Sequence, residues 1–533
     1  MNHYPYVPTA QQGYRNPAAL NKLKSLLEKR VIAKPSTLAL VHRLCQALAA
    51  ENINYCHWKS NNALERSASG NNDLDLLVSR ADLPRFSAIL GRLGFKPAKA
   101  SAEKQLLGVL DYFGYDEAGD KFIHVHAHYQ LILGHDMTKN YRLPIEQPYL
   151  ESAVQGDLFK IPAAEFEFIV LVTRMILKHA TWDVILGGEG RLKASERQEL
   201  AYLQARINRD RVNDLLERHL PYLEVELFNR CIQALQPTCS LWTRLKTGQQ
   251  LQTSLQANAR HSALTDICLK FWRRVAWPIR RRIFKASSKY HLASGGAMIA
   301  IVGGDGAGKS TAVDALHAWL VKYFETTRIH MGRPTWSWTT NITRGILKLG
   351  NLLGLYPVDS SFRETLHQTS LVSPGYPWLL RELCKARDRY WTYIRARRLA
   401  ARGGLVILDR FPVAQIELMD GPQAERFIDQ LMAGPQARQF MSPQRANPLA
   451  RFLIKREESY YQQTVLPELL IALRVDPEIA VQRKTDEDAA YVRERSTEIW
   501  NLDWSHTNAH LIDASKSKTE VLAEIKSLIW SEL

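Results

Sequence analysis

Short apolar segments alternate with helix-like stretches in the C-terminal part of the chain. Met298–Val302, Gly403–Asp409 and Leu469–Leu473 are nearly continuous runs of apolar residues, and stretches with helical spacing separate them. Runs of this kind are typical of strands that are buried on both faces of a parallel sheet. Residues 297–533 are therefore predicted to form an α/β domain with a parallel sheet and helices on both faces.

The N-terminal part has a different pattern. Residues 36–240 begin with mixed strand and helix patterns and continue as helical stretches from Glu165 onward, which predicts an α+β domain with a helical subdomain. Residues 1–35 are polar and are predicted to be a flexible lead-in, and residues 241–296 form a connector that is first polar and then strongly basic. A chain of 533 residues is too long for one ordinary core, so this division into domains is expected.

Composition is typical of a globular protein. Hydrophobic residues make up 46% of the chain and charged residues 23%. No apolar segment is long enough to span a bilayer, and the first residues lack the basic start and apolar core of a secretory signal. The six cysteines have no zinc-type spacing, which favours free thiols in a reducing compartment. A cytoplasmic location is expected.

The connector carries a cluster of aromatic and basic residues. Residues 270–285 combine Trp272, Trp277 and Phe284 with seven cations and no acid. Such a mixture is typical of a helix on an anionic membrane, of an RNA-binding segment, or of a linker helix that packs between domains. The net charge of +16 favours anionic partners, although an arginine-rich protein that handles phosphorylated molecules would have the same charge. We expect peripheral contact with the inner face of an anionic membrane and no specific nucleic acid; a homodimer is compatible with the sequence.

A glycine-rich loop follows the apolar run Met298–Val302. Gly303, Gly308, Lys309 and Ser310 satisfy the pattern G-x-x-x-x-G-K-[ST] of a phosphate-binding loop, or P-loop. Glycines allow backbone N–H groups to surround phosphate oxygens, and the N-terminus of the following helix adds positive potential. Lys309 is predicted to contact the β- and γ-phosphates of a nucleotide, and the Ser310 hydroxyl to ligate Mg²⁺.

Charged residues follow two of the other apolar runs. Asp409 and Arg410 stand where an open α/β sheet places an acid that organises Mg²⁺, and Arg410 would face the anionic group of an acceptor. Arginines on a helical lid can close over a phosphoryl group during its transfer, although such charges also occur on solvated helix faces. The lid arginines in this chain are Arg483, Arg493 and Arg495.

The C-terminal domain resembles thymidylate kinase and its nucleoside monophosphate kinase relatives over nearly all of residues 297–533. Gly304–Thr311 is similar to the P-loop of that family, Leu408–Phe411 to its D-R-[YH] strand end, and Lys385–Tyr390 to the helix whose arginine holds the acceptor phosphate. The resemblance implies a P-loop kinase fold that binds ATP and Mg²⁺. It also implies transfer of the γ-phosphoryl group to a small phosphorylated acceptor.

The resemblance assigns roles residue by residue. Gly306 occupies a position where some members carry a catalytic arginine, so the chain resembles the branch whose lid supplies it. The nucleotide-binding residues implied are Gly303, Gly304, Asp305, Gly306, Ala307, Gly308, Lys309, Ser310 and Thr311. The acceptor-binding residues implied are Asp305, Arg333, Arg389 and Arg410. The catalytic residues implied are Lys309, Asp409, Arg410, Arg483, Arg493 and Arg495, with Ser310 and Asp409 as metal ligands. An insertion at Thr335–Pro377 alters the acceptor pocket.

Asp73 and Asp75 mark a second candidate site. Two aspartates that are separated by one residue in a strand point to the same face and can share a metal ion. With this D-x-D pattern, residues 36–240 resemble the nucleotidyltransferase superfamily, in which a glycine–serine helix start precedes the D-x-D strand. Lys59 and Ser60 stand in the place of that helix start.

That superfamily draws a third acid from a later strand, where this chain has a row of histidines instead. His124, His126 and His128 fall on one face of the strand. Three interpretations stay open: a site with histidine as metal ligand, a binding-only relative, or histidines that pair with phosphate. On a following helix, cations can meet phosphate or cap the helix end. These cations are Arg174, Lys178 and His179.

The two resemblances together indicate a fusion of a nucleotidyltransferase-like module with a thymidylate-kinase-like module. Such a fusion would suit sequential work on a nucleotide, a sugar phosphate or a precursor of surface polysaccharide. The alternative is a nucleotide-controlled ATP-binding switch or scaffold, with the N-terminal module as a non-catalytic binding partner.

Overall fold

The computed structural model describes most of the chain. The described residues are 37–101, 105–180, 191–283, 288–353, 376–413, 415–416, 421–422 and 448–533. The predicted lead-in 1–35 lies outside them, as do Phe284 and Lys285 of the connector and residues 354–375 of the insertion. No helix in the described stretches has the length and apolar character that a membrane span requires.

Strands and helices are numbered here in chain order. The strands are β1 (Tyr55–His57), β2 (Leu74–Val78), β3 (Lys96–Lys99), β4 (Val109–Asp116), β5 (Lys121–His128), β6 (Leu131–Leu133), β7 (Tyr141–Leu143), β8 (Val154–Gln155), β9 (Lys160–Ile161), β10 (His291–Leu292), β11 (Ala297–Gly303), β12 (Thr326–His330), β13 (Leu405–Asp409), β14 (Leu469–Arg474) and β15 (Ala509–Asp513). The helices are α1 (Ala39–Ala50), α2 (Leu64–Ala68), α3 (Leu83–Arg92), α4 (Glu146–Glu151), α5 (Ala164–His179), α6 (Ala194–Gln204), α7 (Arg209–His219), α8 (Val225–Ala234), α9 (Leu241–Ser254), α10 (Ala263–Ile283), α11 (Lys309–Leu320), α12 (Trp338–Leu352), α13 (Tyr376–Ala401), α14 (Pro448–Gln462), α15 (Pro477–Arg483), α16 (Ala489–Asn501) and α17 (Lys518–Glu532).

The chain divides into two compact units, and each unit is assembled from several stretches of sequence. The first unit contains the described residues up to Ile89 together with 121–133 and 143–258. The second unit contains 90–120, 134–142 and 259–533. Residues 90–120 and 134–142, which fall within the predicted domain 36–240, are thus grouped with the C-terminal residues in the structure. The domain boundaries themselves remain a prediction.

The second unit contains a parallel sheet with the strand order β12-β13-β11-β14-β15. Strand β11 lies between β13 and β14 and runs parallel to both, and the two edge strands are also parallel to their neighbours. In parallel sheets all strands end at the same edge, where ligands bind. The predicted α/β fold, with the P-loop after the central strand, is confirmed by this strand order.

The sheet is buried on both faces, as its apolar strands predict. Met298 and Ala300 of β11 pack with Val406 of β13 and with Tyr393 and Ala396 of α13 in one core cluster. The residues that alternate with them along β11 point to the opposite face and are also fully buried. Because both faces are covered, the strands lack the apolar–polar alternation of a half-exposed sheet.

Residues 90–120 add an antiparallel element to the second unit. Strand β3 pairs with β4 and with β10, antiparallel in both cases. The Phe113 ring lies 5.0 Å from the Phe324 ring between centroids, in an edge-to-face arrangement. The C-terminal helix α17 contributes an ion pair in which Lys526 Nζ lies 2.7 Å from the Asp120 carboxylate.

The first unit combines a sheet with a bundle of helices. Strand β2 is antiparallel to β1 and parallel to β5. Helix α5 is apolar on nearly all sides and is buried almost throughout. A helix of that kind belongs in the centre of a bundle. It packs against α6, α7, α8 and α9.

The cations on α5 are paired with acids on α6. Arg174 Nη2 donates to the Glu199 carboxylate at 3.1 Å, and Lys178 Nζ donates to Glu196 at 3.1 Å. His179 Nε2 lies 3.0 Å from the other oxygen of Glu196. The sequence left open whether these cations meet phosphate or cap the helix; in the structure their partners are carboxylates.

Two carboxyl groups among these helices have pKa values that are shifted in opposite directions. Burial raises the pKa of Glu167 to about 7, although the Asn61 N–H donates to its Oε1 at 3.3 Å. Burial also acts on Glu196, but the hydrogen bonds from His179 and from the Lys193 backbone N–H outweigh it and hold the Glu196 pKa well below its ordinary value.

We expect the substitution Glu167→Gln to remove a pH-dependent loss of stability. Because burial raises the folded-state pKa of Glu167 from 4.5 to about 7, its contribution is full below the unfolded value and is lost as the pH rises through the folded value. As the pH rises from acid to 8, the free energy of unfolding of the variant should therefore increase relative to that of the wild type by up to about 3 kcal/mol. Urea unfolding of the full chain across that range measures the shift.

Glu196→Gln is the matched control of opposite sign. The lowered pKa of Glu196 gives stability that is present above its unfolded value and is lost as the pH falls through the folded value. This variant should be less stable than the wild type at neutral pH and approach it in acid. Parallel pH profiles for Glu167→Gln and the wild type would contradict the raised pKa of Glu167.

Candidate phosphate-binding site

The P-loop leaves the carboxyl end of β11 and leads into α11. A Cβ at Gly306 would lie 2.7 Å from the Ala480 carbonyl oxygen, and a Cβ at Gly304 would lie 2.8 Å from the Ser496 Cα. Gly306 and Gly308 have φ angles of +77° and +82°, which residues with side chains rarely adopt. The glycines are therefore required by the backbone conformation of the loop and by its tight packing on α15 and α16.

Asp305, within the loop, lies among three cations. Its carboxylate accepts a hydrogen bond from Arg495 Nη1 at 2.8 Å, and Lys309 Nζ and Arg410 Nη2 each lie 3.8 Å from its Oδ1. Burial raises the pKa of Asp305, but the Arg495 hydrogen bond and the charges of all three cations hold it below its ordinary value. Asp305 and these three cations form one charged cluster at the P-loop.

Lys309 and Ser310 form the start of α11. Lys309 is buried, and its Nζ donates to the carbonyl oxygens of Gly303 and Gly304 at 2.9 and 2.7 Å. Ser310 and Thr311 are exposed in the first helical turn. The Lys309 ammonium therefore lies against the backbone of the loop, and the Ser310 hydroxyl is accessible to a ligand.

Asp409 ends β13, in register with Ile301 of the central strand. Its carboxylate is buried, and its Oδ1 has no hydrogen-bond partner among the residues that the structure describes. Buried carboxylate oxygens are normally paired or bound to a cation, so Asp409 is a suitable ligand for a divalent ion.

His330 is a neighbour of Asp409 that the sequence analysis did not identify. It ends β12 in register with Asp409, and its Nε2 lies 3.8 Å from Asp409 Oδ2. The available signal was its position at the end of a strand in a parallel sheet, where side chains from adjacent strands meet.

Arg410 follows Asp409 in an unusual backbone conformation. Its φ is +57°, in the left-handed region that residues with side chains rarely occupy. Such conformations cost about 1–3 kcal/mol and are concentrated at functional sites. Here the guanidinium of the strained residue lies 3.8 Å from the Asp305 carboxylate.

The two other arginines that were predicted to bind the acceptor lie in different environments. Arg389 is buried on α13; its Nε donates to the Met331 carbonyl at 3.1 Å and its Nη1 to the Tyr461 hydroxyl at 2.7 Å. Arg333 is exposed in the loop after β12. Arg389 thus connects that loop to α13 and α14.

One of the three predicted lid arginines, Arg495, contacts the P-loop. Arg493 forms an exposed ion pair with Glu478, with N···O distances of 2.7 and 3.0 Å. Arg483 donates to the Ala514 carbonyl at 2.7 Å. The structure therefore directs Arg493 and Arg483 to other partners, and the catalytic role of all three remains a prediction.

In the first unit, Asp75 lies among basic side chains. Its Oδ1 is 2.8 Å from Lys59 Nζ, 3.2 Å from His126 Nδ1 and 3.8 Å from His128 Nε2. Burial raises the pKa of Asp75, but Lys59 and the two histidines hold it well below its ordinary value. Asp75, His126 and His128 present ligand atoms close enough together to hold one metal ion.

Asp73 is paired separately from Asp75. Its Oδ1 lies 3.0 Å from His124 Nδ1, so the two aspartates face different histidines, and a metal ion shared by them stays a prediction. The sequence did not indicate Lys59 as the ion-pair partner of Asp75. That pairing arises because β1 runs antiparallel to β2 and the Trp58 N–H donates to the Asp75 carbonyl at 3.1 Å.

The sequence is similar to proteins of Escherichia coli. No family model matches the chain. It is 29% identical over 238 residues to an uncharacterized ATP-binding protein, YghR, of Escherichia coli strain K12, which covers 44% of this chain and 86% of that protein. The protein of the same description in Escherichia coli O6:H1 strain CFT073 matches with the same identity and coverage.

Among solved structures, a thymidylate kinase from Candida albicans is similar over 44% of this chain and 91% of its own. The sequence identity is 20% and the TM-score is 0.27. A score of that size is too low to support an argument about this chain. The P-loop fold of the second unit therefore stands on its own strand order and loop geometry.

We expect Gly306→Ala to destabilise the second unit. The new Cβ would lie 2.7 Å from the Ala480 carbonyl oxygen, in a backbone with a φ of +77°. The free energy of unfolding should therefore fall by about 1–3 kcal/mol. The matched control is Gly345→Ala in α12, where a Cβ would meet no atom within 4 Å. Helix propensity should make that variant as stable as the wild type or more stable by up to about 1 kcal/mol. Equal effects in urea unfolding would contradict the tight packing at Gly306.

Proposed function

We propose that the second unit is a kinase that binds ATP with Mg²⁺ and transfers the γ-phosphoryl group to a small phosphorylated acceptor, as nucleoside monophosphate kinases do. The observation that carries this proposal is the P-loop cluster, in which Lys309, Arg410 and Arg495 surround the single carboxylate of Asp305. Arginine and lysine side chains that converge on one loop in this way are typical of sites that bind phosphate groups. The similarity to a relative that is described as an ATP-binding protein supports the choice of nucleotide.

The residues at the sheet edge fit a bound Mg²⁺ ion. Mg²⁺ prefers oxygen ligands, and Asp409 offers a buried carboxylate oxygen that has no hydrogen-bond partner within the described part of the chain. The exposed hydroxyl of Ser310 stands at the position where P-loop proteins ligate the ion. When bound, the ion would neutralise charge on the β- and γ-phosphates.

Arg495 is the lid arginine best placed to act on the transferring group. Its guanidinium is 4.1 Å from the centre of the Tyr491 ring and is hydrogen-bonded to Asp305, so the side chain is held beside the loop. A γ-phosphate in the loop would compete with Asp305 for this guanidinium. Arginine at that position would neutralise the charge that grows on the phosphoryl group in the transition state.

We infer that the first unit is a nucleotidyltransferase-like module, and that both modules act on a nucleotide, a sugar phosphate or a precursor of surface polysaccharide. The support is the placement of Asp75 on β2, which is parallel to the strand that carries the row of histidines, and of Asp73 directly before β2 and beside His124. Whether that module is catalytic depends on the ion it binds.

The kinase proposal is tested by ADP release in the presence of nucleoside monophosphates and sugar phosphates. We expect at least one acceptor to stimulate ADP release by the wild type. Arg495→Ala should lower acceptor-dependent turnover at least ~10³-fold, as loss of an arginine finger does, while ATP still binds. Arg328→Ala, which removes an exposed arginine of the same unit that is paired with exposed Asp314, is the matched control and should stay within about 3-fold of the wild type.

Lys309→Ala should lose both ATP binding and turnover, which identifies the P-loop as the source of the activity. Equal losses in Arg328→Ala and Arg495→Ala would contradict the role of Arg495. Slow ATP hydrolysis that no acceptor stimulates would contradict the kinase and favour the nucleotide-controlled switch.

We also propose that helix α10 contacts anionic membranes. Leu264, Phe271 and Ile283 of this helix are 78%, 68% and 69% exposed, and with Ile267, Val275 and Ile279 they follow helical spacing along one side. The helix also carries arginines, and an apolar stripe with cations is typical of a helix that lies in the interface of an anionic bilayer.

We expect the full chain to co-sediment with vesicles of phosphatidylglycerol and phosphatidylcholine at low salt, and much less with phosphatidylcholine alone. The double substitution Phe271→Asp with Ile279→Asp should reduce the bound fraction about 10-fold, because it places charge on the apolar stripe. The matched control is Leu107→Asp with Leu110→Asp, which changes exposed leucines of the same unit outside α10. Binding that is equal for both pairs, or absent in the wild type, would exclude this contact.

A further inference from the structure

Three donor atoms in the first unit surround one point in space. They are Asp75 Oδ1, His126 Nδ1 and His128 Nε2, on the parallel strands β2 and β5. The separations are 3.2 Å between Asp75 and His126, 3.3 Å between the two histidine nitrogens, and 3.8 Å between Asp75 and His128. The circle through three atoms at these separations has a radius of about 2.0 Å, the length of a zinc–nitrogen or zinc–oxygen bond.

Strand geometry produces this arrangement. Asp75 is in register with His126 on the neighbouring strand, and His128 follows two residues later on the same face. The Trp58 ring packs edge-on against the His128 ring, with centroids 4.8 Å apart, and His128 is buried. The His126 and Asp75 side chains keep exposures of 21% and 15%. The three donors are thus positioned by the sheet, and a route from solvent remains.

Hydrogen bonding alone accounts poorly for the position of His126 Nδ1. An imidazole nitrogen has either one proton or one lone pair, so it can donate to Asp75 or accept from His128, but it cannot do both. Both neighbours lie within 3.3 Å of it. A metal ion at the common centre would accept a lone pair from each of the three atoms and would satisfy all of them together.

The ligand types indicate which metal fits. Imidazole nitrogen suits zinc and other first-row transition metals, whereas Mg²⁺ and Ca²⁺ prefer oxygen alone. We propose that Asp75, His126 and His128 form a binding site for a Zn²⁺-type divalent transition metal. Three protein ligands leave at least one position for water or a substrate oxygen, as in catalytic zinc sites. This site differs from the predicted metal shared by Asp73 and Asp75.

Lys59 is a competitor for the same carboxylate. Its ammonium lies 2.8 Å from Asp75 Oδ1 and would be repelled by a divalent ion at the common centre. The Lys59→Met substitution removes that charge and keeps most of the side-chain volume. We expect it to strengthen metal binding, which a purely structural role for the histidines would not produce.

The test is metal uptake by the full chain after treatment with a chelator. Zn²⁺ is added in the presence of excess Mg²⁺, and the bound metal is measured by elemental analysis and by calorimetry. We expect one Zn²⁺ per chain, with affinity at least about 100-fold weaker in Asp75→Asn, His126→Ala and His128→Ala. His42→Ala and Asp157→Asn, which change an exposed histidine and an exposed aspartate of the same unit outside these strands, are the matched controls and should keep full uptake.

Substitution with Co²⁺ separates this site from adventitious binding. Visible absorption bands of nitrogen- and oxygen-coordinated Co²⁺ are expected in the wild type, without the near-ultraviolet bands of cysteine ligation. This measurement uses unsubstituted protein, so it stands even where a variant fails to fold. No uptake by the wild type, a thiolate spectrum, or equal loss of metal in His42→Ala would overturn the proposal.

Discussion

Parallel pairing of β11 with β13 and β14 is the constraint on which the candidate kinase site depends. Because the strands share one direction, their carboxyl ends meet at one edge, and the P-loop, Asp409 and the helices after β14 are brought to the same place. The central strand β11 is buried on both faces, and this burial is the reason that its sequence is apolar throughout.

The electrostatics of the loop follow from that arrangement. A buried carboxylate is costly unless cations accompany it, and the buried Asp305 carboxylate has Lys309, Arg410 and Arg495 as neighbours. Asp305 holds these side chains near the loop before any ligand binds. A phosphate would therefore replace Asp305 as their partner, and the side chains would not have to become ordered when it binds. The strained backbone of Arg410 fits this view, since its conformation directs the guanidinium to the cluster.

Local patterns predicted the parts of the molecule that depend on neighbours in sequence. The P-loop and the strand that ends at Asp409 were evident because glycine spacing and apolar runs are local signals. The different partners of Arg493 and Arg495 could not be predicted from the sequence, because they depend on how α16 packs on α15 and on the loop. The Lys59–Asp75 pair was missed for a similar reason, since it depends on strand pairing.

The way the second unit is assembled has a consequence for how the protein is made. Asp120 and Lys526 are 406 positions apart, and the Gly94 carbonyl accepts a hydrogen bond from Trp530, 436 positions later. During synthesis, residues 90–120 leave the ribosome long before α17 does. Their contacts with α17 can therefore form only after the last helix has been synthesised. Removal of the final helix would leave a surface exposed near the start of the chain, and a cut at one point in the sequence could not separate the two units intact.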